Sequence, residues 1–293
     1  MSENLRDLLD QATDLVYGPD PAQALDPLDR CIAAYDAQPD PDLRVRLLDT
    51  MGCPLLQFGE YPSLPKDRTL QLLEELDRYH GEVGDGVRIR QYYRWMVAHH
   101  LGDEVAAEAA YRGWISARMD EFDWCLGCEQ TDMVKHLVGT GRLAEAVKLG
   151  ERALASQVSC EQQPDLMRTL LLPAYIRLGR RQDAIDAQLV AYELMRDDPD
   201  KVYQQALQIR FCALTGNLAM AEELISRHGG LDGDITPYDE LLFSVAVAVT
   251  RGGGEYAERA TRLAASFDRR NGNGHQGGLV ARMLAEQPWV FSG

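Results

Sequence analysis

Three of the six cysteines have a spacing that could bind a metal ion. Cys125 and Cys128 form a C-x-x-C pair, and Cys160 follows further along the chain. Thiolates are good ligands for zinc, which takes four ligands in tetrahedral geometry at structural sites. The sequence offers three candidates for the fourth ligand, namely Glu129, Asp132 and His136. His136 lies about two helical turns after Cys128 and is the candidate imidazole.

These three cysteines have three interpretations. They could remain reduced structural residues, they could hold a structural zinc ion, or Cys160 could form a disulfide with Cys125 or Cys128. A single C-x-x-C pair with one distant cysteine is an incomplete zinc pattern, so the zinc interpretation does not follow from spacing alone. Of the remaining three cysteines, Cys31 and Cys212 lie on apolar helix stripes and are expected to be small core residues, and Cys53 beside Pro54 carries no clear signal.

No catalytic motif accompanies the cysteines. The sequence contains no G-x-S-x-G nucleophile turn and no H-E-x-x-H metal motif. The adjacent His99 and His100 would point about 100° apart on a helix, so they cannot converge on one ion. We therefore predict a protein that is not an enzyme. A catalytic site, were there one, would combine the three cysteines with His136.

The charge balance argues against direct binding to nucleic acid. The chain has 46 acidic and 30 basic side chains, and the segment 1–42 holds ten acidic side chains against two arginines. Affinity for DNA or RNA depends on neutralising phosphates, and the negative electrostatic field of this chain would oppose that binding.

The chain shows no signal-peptide pattern and no apolar run near the roughly 20 residues of a membrane span, so we expect a cytoplasmic protein without membrane contact.

A repeat organises the chain. Five glycines are each followed five residues later by an alanine, and they are separated by 39, 38, 37 and 36 residues. The pairs are Gly102 and Ala107, Gly141 and Ala146, Gly179 and Ala184, Gly216 and Ala221, and Gly252 and Ala257. Gly18 and Gly59 continue the series with poorer matches. Repeats of this length are typical of stacked supersecondary units.

Each repeat predicts two helices joined by a turn. Apolar residues at helical spacing precede each glycine, as with Trp95 and Ala98, and the glycine ends that helix in a left-handed conformation. The following alanine allows a close approach of the second helix, and a further small residue often follows the glycine by 12 positions (Ala153, Ala191, Ala264). Trp114 and His228 replace that second small residue, and Pro173 should kink its helix or shift the start of it.

The glycine and alanine spacing resembles the tetratricopeptide repeat (TPR) family. The resemblance implies an all-α, right-handed α-solenoid of about seven antiparallel helix pairs with a short C-terminal capping helix. It divides the chain into an acidic N-terminal region with two degenerate repeats (1–84), five repeats (85–270), a flexible Gly-rich linker (271–278) and a capping helix or arm (279–293). As an arm, the last part could dock Trp289 and Phe291 on a partner.

The resemblance also implies that ligands bind in a groove lined by the first helices of the pairs. The side chains expected there are Tyr92, His99, Lys135, Arg177, Tyr203 and Arg210. Arg88, Arg90 and Arg94 add positive charge, so the groove would suit an acidic peptide or a free carboxylate. We expect a protein-binding scaffold. The alternatives are a receptor for a small ligand or signalling peptide, and a self-assembling protein that forms homo-oligomers through its C-terminal segment.

Overall fold

A computed structural model describes residues 4–123, 125–156, 160, 163–228 and 235–289. These residues form no β-strand. Their α-helices are Leu5–Val16 (α1), Leu25–Ala37 (α2), Arg44–Gln57 (α3), Lys66–Val83 (α4), Val87–Leu101 (α5), Glu104–Ser116 (α6), Leu126–Gly139 (α7), Leu143–Ala155 (α8), Asp165–Arg177 (α9), Arg181–Met195 (α10), Val202–Leu214 (α11), Leu218–His228 (α12), Pro237–Arg251 (α13), Glu255–Asn271 (α14) and His275–Ala285 (α15). Among these helices, none has the length and apolar character needed to cross a bilayer.

The chain divides into two compact units. The first contains Met1–Asp123, Thr236–Tyr238 and Ala265–Gln276, and the second contains Trp124–Ile235, Asp239–Ala264 and Gly277–Gly293. The first unit therefore holds α1 to α6. The second holds α7 to α12 with most of α13, α14 and α15.

The five repeat glycines end their helices in the left-handed conformation, as predicted. Their φ angles lie between 74° and 83°. In every case the residue after the glycine donates its backbone N–H to the carbonyl five positions earlier, as Arg142 does to Leu137 at 2.8 Å and Arg180 to Tyr175 at 2.8 Å. This bond satisfies a carbonyl that the helix end would otherwise leave without a partner.

Four of the five repeat alanines are buried where the helices meet, and the fifth, Ala257, is half-buried. Ala146, Ala184 and Ala221 are fully buried, and Ala107 is 4% exposed. At the later position Trp114 replaces the alanine and is itself fully buried, with its ring centroid 4.8 Å from that of Tyr92. The prediction of close helix approach is confirmed at the four buried alanines. In the first unit, an aromatic cluster around Trp114 fills the position twelve residues after the glycine.

The two N-terminal repeats are also helix pairs, although their glycines have a different role. Gly18 follows α1 and Gly59 follows α3, and neither has a positive φ. At Gly59 the constraint is space, because an added Cβ would overlap the imidazole ring of His100. Together with the five regular repeats, α1 to α14 form the seven predicted helix pairs, and α15 follows them in the described part of the chain.

The connection predicted as a linker at 271–278 is shorter in the structure. α14 extends to Asn271 and α15 begins at His275. The side-chain amides of Asn271 and Gln276 both donate to the carbonyl of His100 at 3.1 Å. Asn273 donates to the carbonyl of Leu101 at 2.7 Å. These amides donate to carbonyls in the last turn of α5, which explains why a composition typical of flexible segments forms a tight turn here.

The sequence predicts that Pro173 kinks its helix or shifts the start of that helix. α9 begins at Asp165 and continues past the proline to Arg177, so Pro173 does not mark the start of the helix.

Three glycine substitutions separate backbone strain from steric contact. Gly179 has a left-handed backbone, and no atom lies close to the Cβ that alanine would add. We expect Gly179→Ala to lower the free energy of unfolding by about 1 kcal/mol, because a left-handed conformation strains any residue that has a Cβ. Gly59→Ala should cost about 1–3 kcal/mol, because the new methyl group would have to displace the His100 side chain. Urea unfolding measures both.

Gly81→Ala is the matched control for these two variants. Gly81 lies in α4 with open space around it. Alanine at this helical position should stabilise the protein by about 0.5–1 kcal/mol. A Gly179→Ala variant as stable as this control would contradict the left-handed turn.

Candidate functional site

The sulfur atoms of Cys125, Cys128 and Cys160 form one group, which we call the thiol cluster. All three sulfurs lie within 4.8 Å of one another, and those of Cys128 and Cys160 are 3.7 Å apart. His136 is not part of this group, and its side chain is buried. The structure thus brings together the three predicted cysteines without the predicted imidazole.

Two connections between helices bring the thiol cluster together. Cys125 is the residue before α7, and Cys128 lies in the first turn of that helix. Cys160 lies in the corresponding connection before α9, in the neighbouring helix pair. Cys125 is exposed, whereas Cys128 and Cys160 are half-buried. Because equivalent connections of adjacent repeats stack side by side, the repeat itself places these thiols close together.

Gln163 holds the two connections against each other. Its backbone N–H donates to the carbonyl of Cys160 at 3.0 Å, which closes a turn. Its side-chain amide donates to the carbonyl of Gly127 at 2.9 Å and to Oγ1 of Thr131 at 3.2 Å. Sequence reasoning missed Gln163, because a glutamine outside a helix carries no pattern that marks it as a contact to another repeat.

The pKa values of Cys125 and Cys128 are shifted in opposite directions by their surroundings. The backbone N–H groups of Cys128 and Gly127 face the sulfur of Cys125 and hold the pKa of that thiol below its ordinary value. Burial is the larger cause that raises the pKa of Cys128, and the nearby sulfur of Cys160 raises it further.

All six cysteines lie in the described ranges, and none of them forms a disulfide.

The two predicted groove residues of the first unit, Tyr92 and His99, both lie against Trp95. Tyr92 is 2% exposed and packs in the aromatic cluster with Trp95 and Trp114, so it is a core residue. His99 is half-buried and stacks on Trp95 with a centroid distance of 5.5 Å. The regular spacing predicts both on the groove face, but the large aromatic side chains of α5 and α6 bury Tyr92 there and leave His99 half-buried.

The three arginines at the start of α5 are paired within the same unit. Arg88 is buried, donates to the carbonyl of Trp114 at 3.0 Å and lies 3.7 Å from Asp123. Arg90 and Arg94 both pair with Asp77 on α4. Two carboxylates thus face the three guanidinium groups, so their positive charge is only partly compensated within the unit.

The other four predicted residues lie in the second unit, and we call them the cationic surface: Lys135, Arg177, Tyr203 and Arg210. Lys135 on α7 places its Nζ 5.4 Å from the ring centroid of Tyr203 on α11. Both α7 and α11 pack on α9, so this contact lies on the face that the three first helices share. Arg177 ends α9, and Arg210 lies on α11 beside it.

The cationic surface holds a segment of its own chain, residues 286–289. Glu286 forms an ion pair with Arg210 and lies 3.7 Å from the guanidinium of Arg177. The backbone N–H of Trp289 donates to the carbonyl of Leu214 at 2.8 Å, and its indole N–H donates to Glu286 at 2.9 Å. A carboxylate and an aromatic ring thus occupy this surface together, while Phe291 lies outside the described residues.

The indole of Trp289 packs against Phe211 and Arg177. The rings of Trp289 and Phe211 meet edge to face with centroids 5.9 Å apart, and the guanidinium of Arg177 lies 5.8 Å from the indole. Edge-to-face aromatic and cation–π contacts of this kind are each worth about 0.5–1.5 kcal/mol. Arg177 therefore serves both the carboxylate and the ring.

Comparison with known proteins supports the fold. No protein-family model matches the sequence, and no curated protein matches it. Among solved structures, a tetratricopeptide repeat protein from Parabacteroides merdae ATCC 43184 superposes with a TM-score of 0.54 over 96% of this chain and 97% of its own. The fold is TPR-like. The two sequences are 13% identical, so this likeness concerns the fold alone.

The first unit contains an apolar cleft of about 400 Å³ beside the TPR-like helix pair α5 and α6. Leu70 and Leu73 of α4, Val97 and Leu101 of α5, and Ala110 of α6 are among its lining residues. Apolar clefts of this size are common sites for small ligands.

The contacts of residues 286–289 depend on the charge of Glu286. We expect Glu286→Gln to speed hydrogen exchange at the backbone amide of Trp289 at least about tenfold, because a hydrogen bond to a charged group contributes about 1.5–3 kcal/mol. Hydrogen exchange followed by mass spectrometry measures this rate.

Glu193→Gln provides the control for this exchange measurement. Glu193 pairs with Arg196 on an exposed surface. Exposed ion pairs contribute little, so this variant should leave the exchange of Trp289 unchanged. Equal exchange in the Glu286→Gln variant and the wild type would show that the ion pair does not hold the segment.

Proposed function

We propose that the chain is a non-catalytic peptide-binding scaffold whose cationic surface binds an acidic peptide that also carries an aromatic residue. The observation that supports this proposal is the docking of Glu286 and Trp289 on Arg177, Arg210 and Phe211. These intramolecular contacts indicate which chemistry the surface accepts. A partner peptide would present a carboxylate and, three residues later, a large aromatic side chain.

The charge of Arg210 is the first argument. Burial lowers the pKa of Arg210, and Glu286 acts in the opposite direction by favouring the protonated form. Arginine stays protonated in proteins, so a partly buried guanidinium without an anion would cost free energy. Any group that displaces Glu286 must therefore carry a negative charge. This requirement selects carboxylate ligands over neutral ones.

The position of the surface in the fold is the second argument. Lys135, Arg177 and Arg210 come from three successive first helices, α7, α9 and α11. A peptide bound along them would contact three repeats at once, which increases affinity without requiring a strong contact at any single residue. Helical repeats are suited to this mode of binding because equivalent positions recur at regular intervals along the stack.

A direct binding test uses a full-length variant that exposes the surface. We expect Glu286→Gln combined with Trp289→Ala to bind a fluorescent peptide with the sequence LAEQPWVF, which is residues 284–291 of this chain. The wild type should bind it at least about tenfold more weakly, because its own tethered segment competes at high effective concentration. Fluorescence anisotropy gives both dissociation constants.

Charge reversal identifies the site of peptide binding. In the exposed variant, Arg210→Glu should abolish binding and Lys135→Glu should weaken it, and rising salt should weaken it as well. Arg112→Glu is the control, since Arg112 is exposed on α6 and pairs only locally with Glu108 among the contacts described. The proposal would be wrong if the exposed variant did not bind the peptide, or if Arg210→Glu bound it as well as the control.

Self-assembly is a second candidate function, favoured by the same contacts. Residues 286–289 of one chain could occupy the cationic surface of another copy, since exchange of an identical segment between copies needs no new contacts. If so, light scattering should give a dimer or larger species for the wild type and a monomer for the Glu286→Gln, Trp289→Ala variant. A monomeric wild type would exclude this alternative.

A further inference from the structure

The thiol cluster lies apart from the residues that the peptide-binding proposal uses. Its three sulfurs converge from the connections before α7 and before α9. We propose that Cys125, Cys128 and Cys160 bind one zinc ion as thiolates, with a water molecule as the fourth ligand.

The distances between the sulfurs fit this ion. Zinc–sulfur bonds are about 2.3 Å long, so two sulfurs on a tetrahedral zinc lie about 3.8 Å apart. The sulfurs of Cys128 and Cys160 are 3.7 Å apart, and no pair in the cluster exceeds 4.8 Å. No pair therefore exceeds tetrahedral spacing by more than about 1 Å. The exposure of Cys125 leaves one side of the site open to solvent, which supplies the fourth ligand.

The charge of the complex also fits its location. Binding replaces three thiol protons with one zinc ion, so the site releases three protons and carries one net negative charge. Cys125 and Cys128 lie at the start of α7. The helix dipole favours negative charge at this end. The reaction needs neither an oxidant nor a reductant. A disulfide would require a sulfur separation of about 2.05 Å and an oxidant, and would leave one thiol of the three unused.

The protein supports the cluster with hydrogen bonds around it. The carbonyl of Gly127, inside the C-x-x-C turn, accepts from Gln163 at 2.9 Å and from Oγ1 of Thr131 at 2.9 Å. These bonds fix the turn that carries Cys125 and Cys128 relative to the turn that carries Cys160. Gln163 is thus a positioning residue, which holds the ligands in place without itself touching the ion.

Metal analysis of the full chain tests the site. The protein, purified with a reductant and zinc and then freed of excess metal, should contain one zinc ion per chain. Cys125→Ser should lose the zinc, and because Cys125 is exposed this variant should still fold. Cys31→Ala, which removes a buried cysteine outside the cluster, should keep it. Acidification should release the ion, because protons compete for thiolates.

Cobalt replacement reports the ligands directly. Co²⁺ added to the metal-free protein should produce thiolate-to-metal charge-transfer absorption that Cys128→Ser and Cys160→Ser weaken and Cys31→Ala does not. Gln163→Ala should lower zinc affinity by about 10–100-fold while the metal-free protein melts at an unchanged temperature. A purely structural role for Gln163 would instead lower that melting temperature.

Three results would overturn the proposal. The first is well under one zinc per chain in the reduced protein. The second is full zinc content in Cys125→Ser. The third is a protein that, before any reductant is added, has four titratable thiols out of its six and binds no zinc after reduction, which would assign the cluster to a disulfide.

Discussion

The left-handed turn after the first helix of each regular repeat is the constraint on which the other features depend. A glycine in this conformation lets the next residue donate back to the first helix, as Arg142 does to Leu137. The chain then reverses within a few residues and starts the second helix against the first. Alanine at the contact keeps the two helices close, and both candidate sites follow from the regular stacking of these pairs.

Regular stacking places two kinds of position side by side. Connections between repeats come together at one end of neighbouring pairs, which brings Cys160 next to Cys125 and Cys128. Positions on first helices line up on one face, which brings Lys135 to Tyr203 and Arg177 to Arg210. The thiol cluster and the cationic surface are thus two consequences of one geometry. They use different residues, so each can be tested without disturbing the other.

Electrostatics connects the acidic composition with the cationic surface. The chain carries a formal net charge of −16, yet the second unit holds arginines that need an anion, and Glu286 of the same chain provides it. An acidic protein with a local positive surface would attract an acidic partner only at short range, because the overall field repels it at longer distances. Under the peptide-binding proposal, the ligand therefore combines its charge with an aromatic contact such as the one Trp289 makes with Phe211.

The sequence by itself determined the helical repeats, their boundaries at the glycines and the choice of the three cysteines. These features are local or periodic, because a left-handed turn or an apolar stripe depends on residues that are close together in the sequence. It could not show that Tyr92 is core, because that depends on Trp114 filling the place of an alanine in another helix. It could not show that Asn271 and Gln276 would bind the end of α5, nor that Glu286 would pair with Arg210. Only the tertiary structure decided these contacts, because each joins residues far apart in the chain through side chains that carry no periodic pattern.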